Sequence, residues 1–256
     1  MKCICHLSQI PLRKEDSDRS EMVSQLLFGE IAEVIEEKNS WFKLKVEYDG
    51  YIGWADKKQC TPISNEDLSV LMASPLHLSS EIFQSIGLTD GNQMPLVMGS
   101  SLFLSSKNDL KFSNMTFTFG GSSIKPSAGK GTDLLNYAMK YLNAPYLWGG
   151  RSPFGIDCSG FTQIIMKFCG IKLWRDAAQQ SEQGTTINMI EEAEVGDLAF
   201  FDNAEGRIVH VGIILANQKI IHASGKVRVD TLDHEGIYNS EINKYTHKLR
   251  LIKRVF

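Results

Sequence analysis

Two runs rich in branched residues, Arg207-Ile208-Val209-His210-Val211-Gly212-Ile213-Ile214-Leu215 and Lys219-Ile220-Ile221-His222-Ala223-Ser224, flank Ala216-Asn217-Gln218. Such runs read as β-strands, and so short a separation makes them a hairpin whose register constrains the chain more than any other feature. If the loop is three residues long, Leu215 pairs with Lys219, His222 falls opposite Gly212 and His210 opposite Ser224. Both imidazoles then share a face as diagonal neighbours, at the roughly 7–8 Å that such side chains bridge. A two-residue loop would put them on opposite faces, because side chains alternate with a period of two.

A second feature lies upstream. In Asp157-Cys158-Ser159-Gly160-Phe161 a cysteine stands where a loop turns into a helix: Phe161, Ile164, Ile165 and Phe168 trace an apolar stripe and Gly170 is a stop signal. In the first turn, free N–H groups and the positive end of the helix dipole favour an anion. Cys158 is therefore expected to ionise more readily than a free cysteine, with its own N–H placed to stabilise an oxyanion. Cys169, at the other end of the helix, reads as a small buried hydrophobe. A cysteine, a histidine to take its proton and a further polar residue to hold that histidine form a nucleophile, base and orienter suited to acyl transfer.

At 256 residues the chain has room for one to three domains. Hydrophobic content is 43% and charged content 22%, and no apolar run approaches the roughly 18 residues needed to span a bilayer, so no membrane insertion is expected. The start, Met1-Lys2-Cys3-Ile4-Cys5-His6, has no continuous apolar core. It is not read as a signal peptide, which favours a cytoplasmic protein, with a periplasmic or secreted one as the alternative if a leader has been removed. A net charge of −3 and a pI near 6.1 argue against a nucleic-acid partner. Five cysteines without framework spacing point to reduced thiols. Cys3, Cys5 and His6 are too tightly spaced for a zinc site and read as an exposed terminal segment.

In chain order, residues 21–28, 31–35, 41–46 and 51–54 are strand-like, punctuated by Gly29-Glu30 and Asp49-Gly50, with Trp41 and Trp54 as core. Strands are expected again at 94–97, 101–104 and 115–119, while 79–86 is open to a short helix. Residues 120–131 read as a linker. Thr132 is a candidate N-cap for a helix over 133–142, and Tyr146-Leu147-Trp148-Gly149-Gly150 then forms a loop leading towards Cys158.

From about 132 to 256 the chain resembles the NlpC-type papain-like cysteine peptidases of bacterial cell-wall metabolism. The resemblance rests on Asp157-Cys158-Ser159-Gly160, on Gly196-Asp197-Leu198 leading into a strand, on His210 followed by Val211-Gly212-Ile213, and on His222-Ala223-Ser224. The strand order around Gly29-Glu30 and Gly53-Trp54 resembles the bacterial SH3-like domains that often precede such catalytic domains. An α+β architecture is implied: an SH3-like domain over 1–65, a divergent second one with a linker over 66–125, and a papain-like NlpC-type catalytic domain over 126–256. The implied roles are Cys158 as nucleophile, His210 as base and His222 as orienter, with no metal or organic cofactor. Trp174-Arg175-Asp176 points to a subset that trims murein peptides. There Arg175 and Asp176 would help line a pocket for a free N-terminus, Asp176 holding the ammonium with Glu30 and Tyr51 reaching over. Tyr146 and Trp148 would border the groove and, with Asp157 and Ser159 beside the nucleophile, bind substrate. The implied activity is hydrolysis of the γ-D-glutamyl to diamino-acid amide in peptidoglycan-derived peptides that begin with a free L-alanine. A secreted remodelling endopeptidase acting on intact stem peptides, an acyltransferase on the same fold and a protein that only binds in the groove are the alternatives. Nothing in the sequence bears on oligomeric state.

Overall fold

Cys3, Ile4 and Cys5 are all buried, because the chain begins as a strand, β1 (Lys2–Cys5), laid between two others. The exposed terminal segment expected there is corrected. Its apolar run is too short to show a period, and a strand covered on both faces does not alternate. The structure, a computed structural model, describes residues 1–127 and 132–256, the side chain of Thr132 excepted. It divides into two units, 1–126 with 148–153, and 127–147 with 154–256.

The first unit is all-β apart from one short helix and a turn. β2 (Gln9–Arg13), β3 (Met22–Leu27), β4 (Ile31–Lys38), β5 (Trp41–Val46), β6 (Ile52–Asp56) and β7 (Cys60–Ile63) join β1 in an antiparallel sheet of order β3-β2-β6-β5-β4-β1-β7. Cys5, Ile10, Leu12, Leu26, Leu44 and Ala55 fill its core, and Trp41 and Trp54 are buried as expected. A helix that the sequence reading missed follows: α1 (Asn65–Ala73), whose N-cap Ser64 accepts from the Asp67 N–H. Its Ser-x-x-Asp start was the available signal.

The rest of this unit holds β8 (Leu76–Ser79), β9 (Phe83–Leu88), β10 (Gln93–Val97), β11 (Ser101–Phe103), β12 (Asp109–Phe112), β13 (Met115–Thr118) and β14 (Ser123–Ile124). They form sheets of order β10-β9-β13-β12 and β11-β8-β14. Residues 79–86 are thus strand, turn and strand rather than helix, and the expected linker contributes β14 to a sheet. Long-range pairing decides both, and no local period reports it. Residues 128–131 of that linker, and the Thr132 side chain on which a cap would depend, lie outside the described residues. Gly29 turns the chain between β3 and β4 with φ +77°, and a Cβ there would lie 1.9 Å from the Ser101 carbonyl oxygen, so only glycine fits.

The segment 148–153, carrying β15 (Arg151–Ser152), also belongs to this unit. Arg151 is 1% exposed; its guanidinium donates to both Glu30 carboxylate oxygens, at 2.6 and 3.0 Å, and to the Gln25 carbonyl at 2.7 Å. Removing one member of such a pair leaves a buried charge uncompensated, at a cost of about 3–5 kcal/mol, whereas an apolar pair can be nearly neutral. Arg151→Met alone should therefore lower the unfolding free energy in denaturant titrations by about that amount. Glu30→Met with Arg151→Met should lower it less; a double variant weaker than both singles would contradict this.

The second unit contains α2 (Thr132–Lys140), β16 (Gly155–Ile156), α3 (Cys158–Phe168), α4 (Ala177–Gln180), β17 (Thr185–Ile187), β18 (Leu198–Asp202), β19 (Ile208–Leu215), β20 (Lys219–Ser224), β21 (Lys226–Leu232), β22 (Gly236–Asn239) and β23 (Lys244–Arg254). The sheet runs β17-β23-β18-β19-β20-β21-β22, and β22 also pairs with β23, which closes it into a barrel. Ala199, Phe201, Ile214, Ile220, Leu232 and Ile237 cluster in its core. Every residue of α3 is buried, and the helix packs on β19 and β20. With all-β sheets in one unit and helices against a barrel in the other, the architecture is α+β.

Candidate active site

The start of α3 is built around a buried ion pair. Asp157 is the N-cap, its carboxylate accepting from the Gly160 N–H at 2.6 Å. Arg175 donates to both oxygens of Asp157, at 3.0 and 2.6 Å, and to the Ser159 hydroxyl at 2.9 Å. Arg175 is therefore partnered by Asp157, since a buried carboxylate needs a cation. Asp176 is half-buried at the start of α4, where its N–H donates to Gln179 Oε1 at 3.2 Å.

This pair fixes the position of Cys158, 7% exposed in the first turn of α3. Burial, and then the Asp157 carboxylate, push the thiol up to about 12, against the downward pull of hydrogen bonds from the backbone of Val211 and Ser159 and of the Arg175 charge. The easier ionisation expected from the helix start is corrected. A helix terminus contributes about 0.3–1 kcal/mol, less than the roughly 1.4 kcal/mol of one pKa unit, while desolvation can shift a group by several units.

The hairpin has the expected register, with Leu215 opposite Lys219 and Gly212 opposite His222. His210 Nε2 lies 2.8 Å from His222 Nδ1, and the rings stand nearly perpendicular with centroids 5.0 Å apart. Three further residues complete the cluster, and the sequence reading missed all of them. Asp230, on β21, places Oδ2 at 3.0 Å from His222 Nε2. Arg228 grips the same carboxylate, Nε to Oδ2 at 2.6 Å and a terminal nitrogen to Oδ1 at 3.0 Å. His247, on β23, stacks on His210 with centroids 4.1 Å apart, and Phe201 of the barrel core lies beside both. The available signal was the alternation Arg228-Val229-Asp230 on a strand that follows the hairpin.

Burial shapes the charges here. It raises the Asp230 carboxyl, but the hydrogen bonds from His222 and Arg228 overcome this and hold it below the usual carboxylate range. His210 is pushed well below the usual imidazole range by burial, then by His247 and His222. Burial and His222 push His247 down to about 4, opposed by Asp230.

The second unit thus brings Asp157, Cys158, Ser159 and Arg175 together at the start of α3. Tyr146 is half-buried in the same unit, its hydroxyl pushed up to about 12 by burial and by Cys158 and Asp157. The thiol is tied to the backbone of Val211, the residue after His210. Glu30, Tyr51 and Trp148 belong to the first unit. There Glu30 is paired with Arg151, Tyr51 packs on the core and the Trp148 indole N–H donates to Glu21 Oε1 at 2.7 Å.

Residues 143–247 match the model of the NlpC/P60 family, and residues 12–59 match that of the bacterial dipeptidyl-peptidase SH3 domain. The chain is 30% identical over 232 residues to a γ-D-glutamyl-L-lysine dipeptidyl-peptidase of Bacillus cereus, covering 81% of this chain and 68% of that one. It is 32% identical over 237 residues to the Bacillus subtilis protein so named, covering 86% and 78%. The chain belongs to the NlpC/P60 family. It is a cysteine peptidase. A crystal structure of an NlpC/P60 family protein from Bacillus cereus, 22% identical, superposes with a TM-score of 0.85 over 100% of this chain and 99% of that one, and so shares its fold.

In this NlpC/P60 peptidase the depressed histidines link stability to pH. Unfolded imidazoles bind protons near 6.5, whereas folded His247 resists protonation down to about 4 and His210 is depressed in the same direction. The unfolded state binds more protons in that window, so stability is full above it and is lost as pH falls through it. The unfolding free energy should drop between about pH 6.5 and 4, and His247→Phe should flatten the drop. A pH-independent stability across the window would contradict the burial argument.

Proposed function

We propose that this NlpC/P60 peptidase hydrolyses the γ-D-glutamyl to diamino-acid amide of peptidoglycan-derived peptides that begin with a free L-alanine. The observation that carries the reading is the junction of α3 and β19, where the Cys158 thiol meets the backbone beside His210 and a hydrogen-bonded row runs from His210 to His222 and Asp230. The two relatives named γ-D-glutamyl-L-lysine dipeptidyl-peptidases support the choice of bond.

With the thiol pushed up and His210 pushed down, both are neutral at rest, so proton transfer accompanies attack. Sulfur attacks the γ-carbonyl carbon while its proton passes to Nδ1 of His210, the ring nitrogen not engaged by His222. The Cys158 N–H, in the first turn and so without an acceptor in its own helix, stabilises the oxyanion. The amine of the diamino acid leaves with the proton from His210, and water, deprotonated by His210, then hydrolyses the thioester. His222 holds the His210 ring throughout. Asp176 is the carboxylate we assign to the substrate's ammonium. The five free thiols suit a reducing compartment, which favours cytoplasmic action on released fragments.

The test uses L-Ala-γ-D-Glu-L-Lys and its N-acetyl form. Wild-type protein should cleave the free-amine peptide and process the acetylated one poorly, and Cys158→Ala should be inactive while folded. Charge-assisted hydrogen bonds contribute roughly 1.5–3 kcal/mol, so Asp176→Asn should lower kcat/KM on the free-amine peptide by about ten- to a hundredfold and change little on the acetylated one. Equal cleavage of both peptides by the wild type would overturn selection for a free N-terminus and favour a remodelling hydrolase acting on stem peptides.

A further inference from the structure

We propose that Asp230, held by Arg228, is a positioning residue that sets the protons on both histidines and so keeps Nδ1 of His210 free to accept one. The inference rests on the reading of Cys158 and His210 as nucleophile and base, and it follows from counting protons along the row.

An ionised carboxylate only accepts hydrogen bonds, and a neutral imidazole carries one N–H. Asp230 is 5% exposed, and both its oxygens accept from Arg228. The nitrogen of His222 that lies 3.0 Å from Oδ2 must therefore be the donor, which places the His222 proton on Nε2. Nδ1 of His222 is left as an acceptor. His210 Nε2, 2.8 Å away, must then be the donor there, which uses the only proton of a neutral His210 and leaves its Nδ1 with a lone pair. Without the carboxylate, nothing in the row favours this arrangement over the reverse one. In the reverse arrangement the His222 proton sits on Nδ1, the His210 proton sits on Nδ1 as well, and His210 cannot act as a base.

During attack the S–H bond breaks, its electron pair forms the C–S bond and the proton joins Nδ1 of His210. The resulting imidazolium donates through Nε2 to His222, which donates to Asp230, so the new positive charge faces a carboxylate through two hydrogen bonds. Among the described residues the charged and titratable groups at the row are His247 from β23, Arg228 from β21, Glu241 paired with Arg228 at 3.0 Å, and from α3 the Cys158 thiol, which is tied to the backbone of Val211 beside His210. Arg228 keeps Asp230 ionised but is itself balanced by Glu241, so the carboxylate remains the anion nearest His222.

The experiment combines ¹⁵N spectra of the histidine rings with kinetics. At neutral pH the wild-type protein should show His210 and His222 both protonated on Nε2 and bare on Nδ1. Asp230→Asn cannot satisfy two Arg228 donors and a His222 donor together. It should lose this pattern, lower kcat by about ten- to a hundredfold with KM nearly unchanged, and shift the acid limb of kcat/KM to lower pH, because the imidazolium loses its carboxylate. Asp230→Glu should restore part of kcat and return the limb towards the wild-type position. A merely structural role would reduce the active fraction and leave the limb in place. A proton on Nδ1 of His210 in the wild type, or an Asp230→Asn protein with unchanged kcat and limb, would overturn the proposal. The wild-type spectrum decides even if the variant fails to fold. Retained activity in Cys158→Ala would instead overturn the underlying reading while leaving the ring protonation unaffected.

Discussion

The hydrogen-bonded row from Arg228 through Asp230 and His222 to His210 is the constraint on which the catalytic half of the molecule depends. Four polar side chains beside an apolar barrel core are tolerable only if each donor meets an acceptor, and the strand register is what lets them do so. A shift of β20 by one residue would turn His222 to the other face and leave Asp230 and His210 without their common partner. Barrel closure through the β22–β23 pairing holds the strand that carries His247, whose ring stacks on His210 and helps to bury it.

Desolvation then sets the chemistry. The helix start, the backbone of Val211 and the charge of Arg175 all favour a thiolate, yet burial and the Asp157 carboxylate outweigh them. Asp157 caps α3 and holds Arg175, and both contacts fix the place of Cys158. Burial thus favours the neutral form of both groups, the Cys158 thiol and the His210 imidazole.

Much of this was legible in the sequence. The period of two reduced the placing of His210 and His222 to a choice of loop length, which the structure decides for three residues and one shared face, and the three- and four-residue steps after Cys158 were enough to place it at the start of a buried helix. What escaped was non-local. Nothing adjacent to Arg175 indicates that it pairs with Asp157, eighteen residues upstream, because that pairing is made by burial. Strand β1 has no period to show, and β14 lies in a stretch whose composition is that of a linker. Asp230 escaped for a related reason: a carboxylate on an alternating strand reads as solvent-facing unless the partner that holds it inside is known.

The central claim is that the chemistry runs through Cys158 alone among the five thiols. Substoichiometric alkylation with iodoacetamide, followed by peptide mapping and assay of the same samples, tests this most directly. Remaining activity should fall in proportion to modification of Cys158, whichever of Cys3, Cys5, Cys60 and Cys169 are modified as well, and the tripeptide substrate should slow both the loss of activity and the modification of Cys158. Full activity in protein whose Cys158 is completely alkylated would contradict the account.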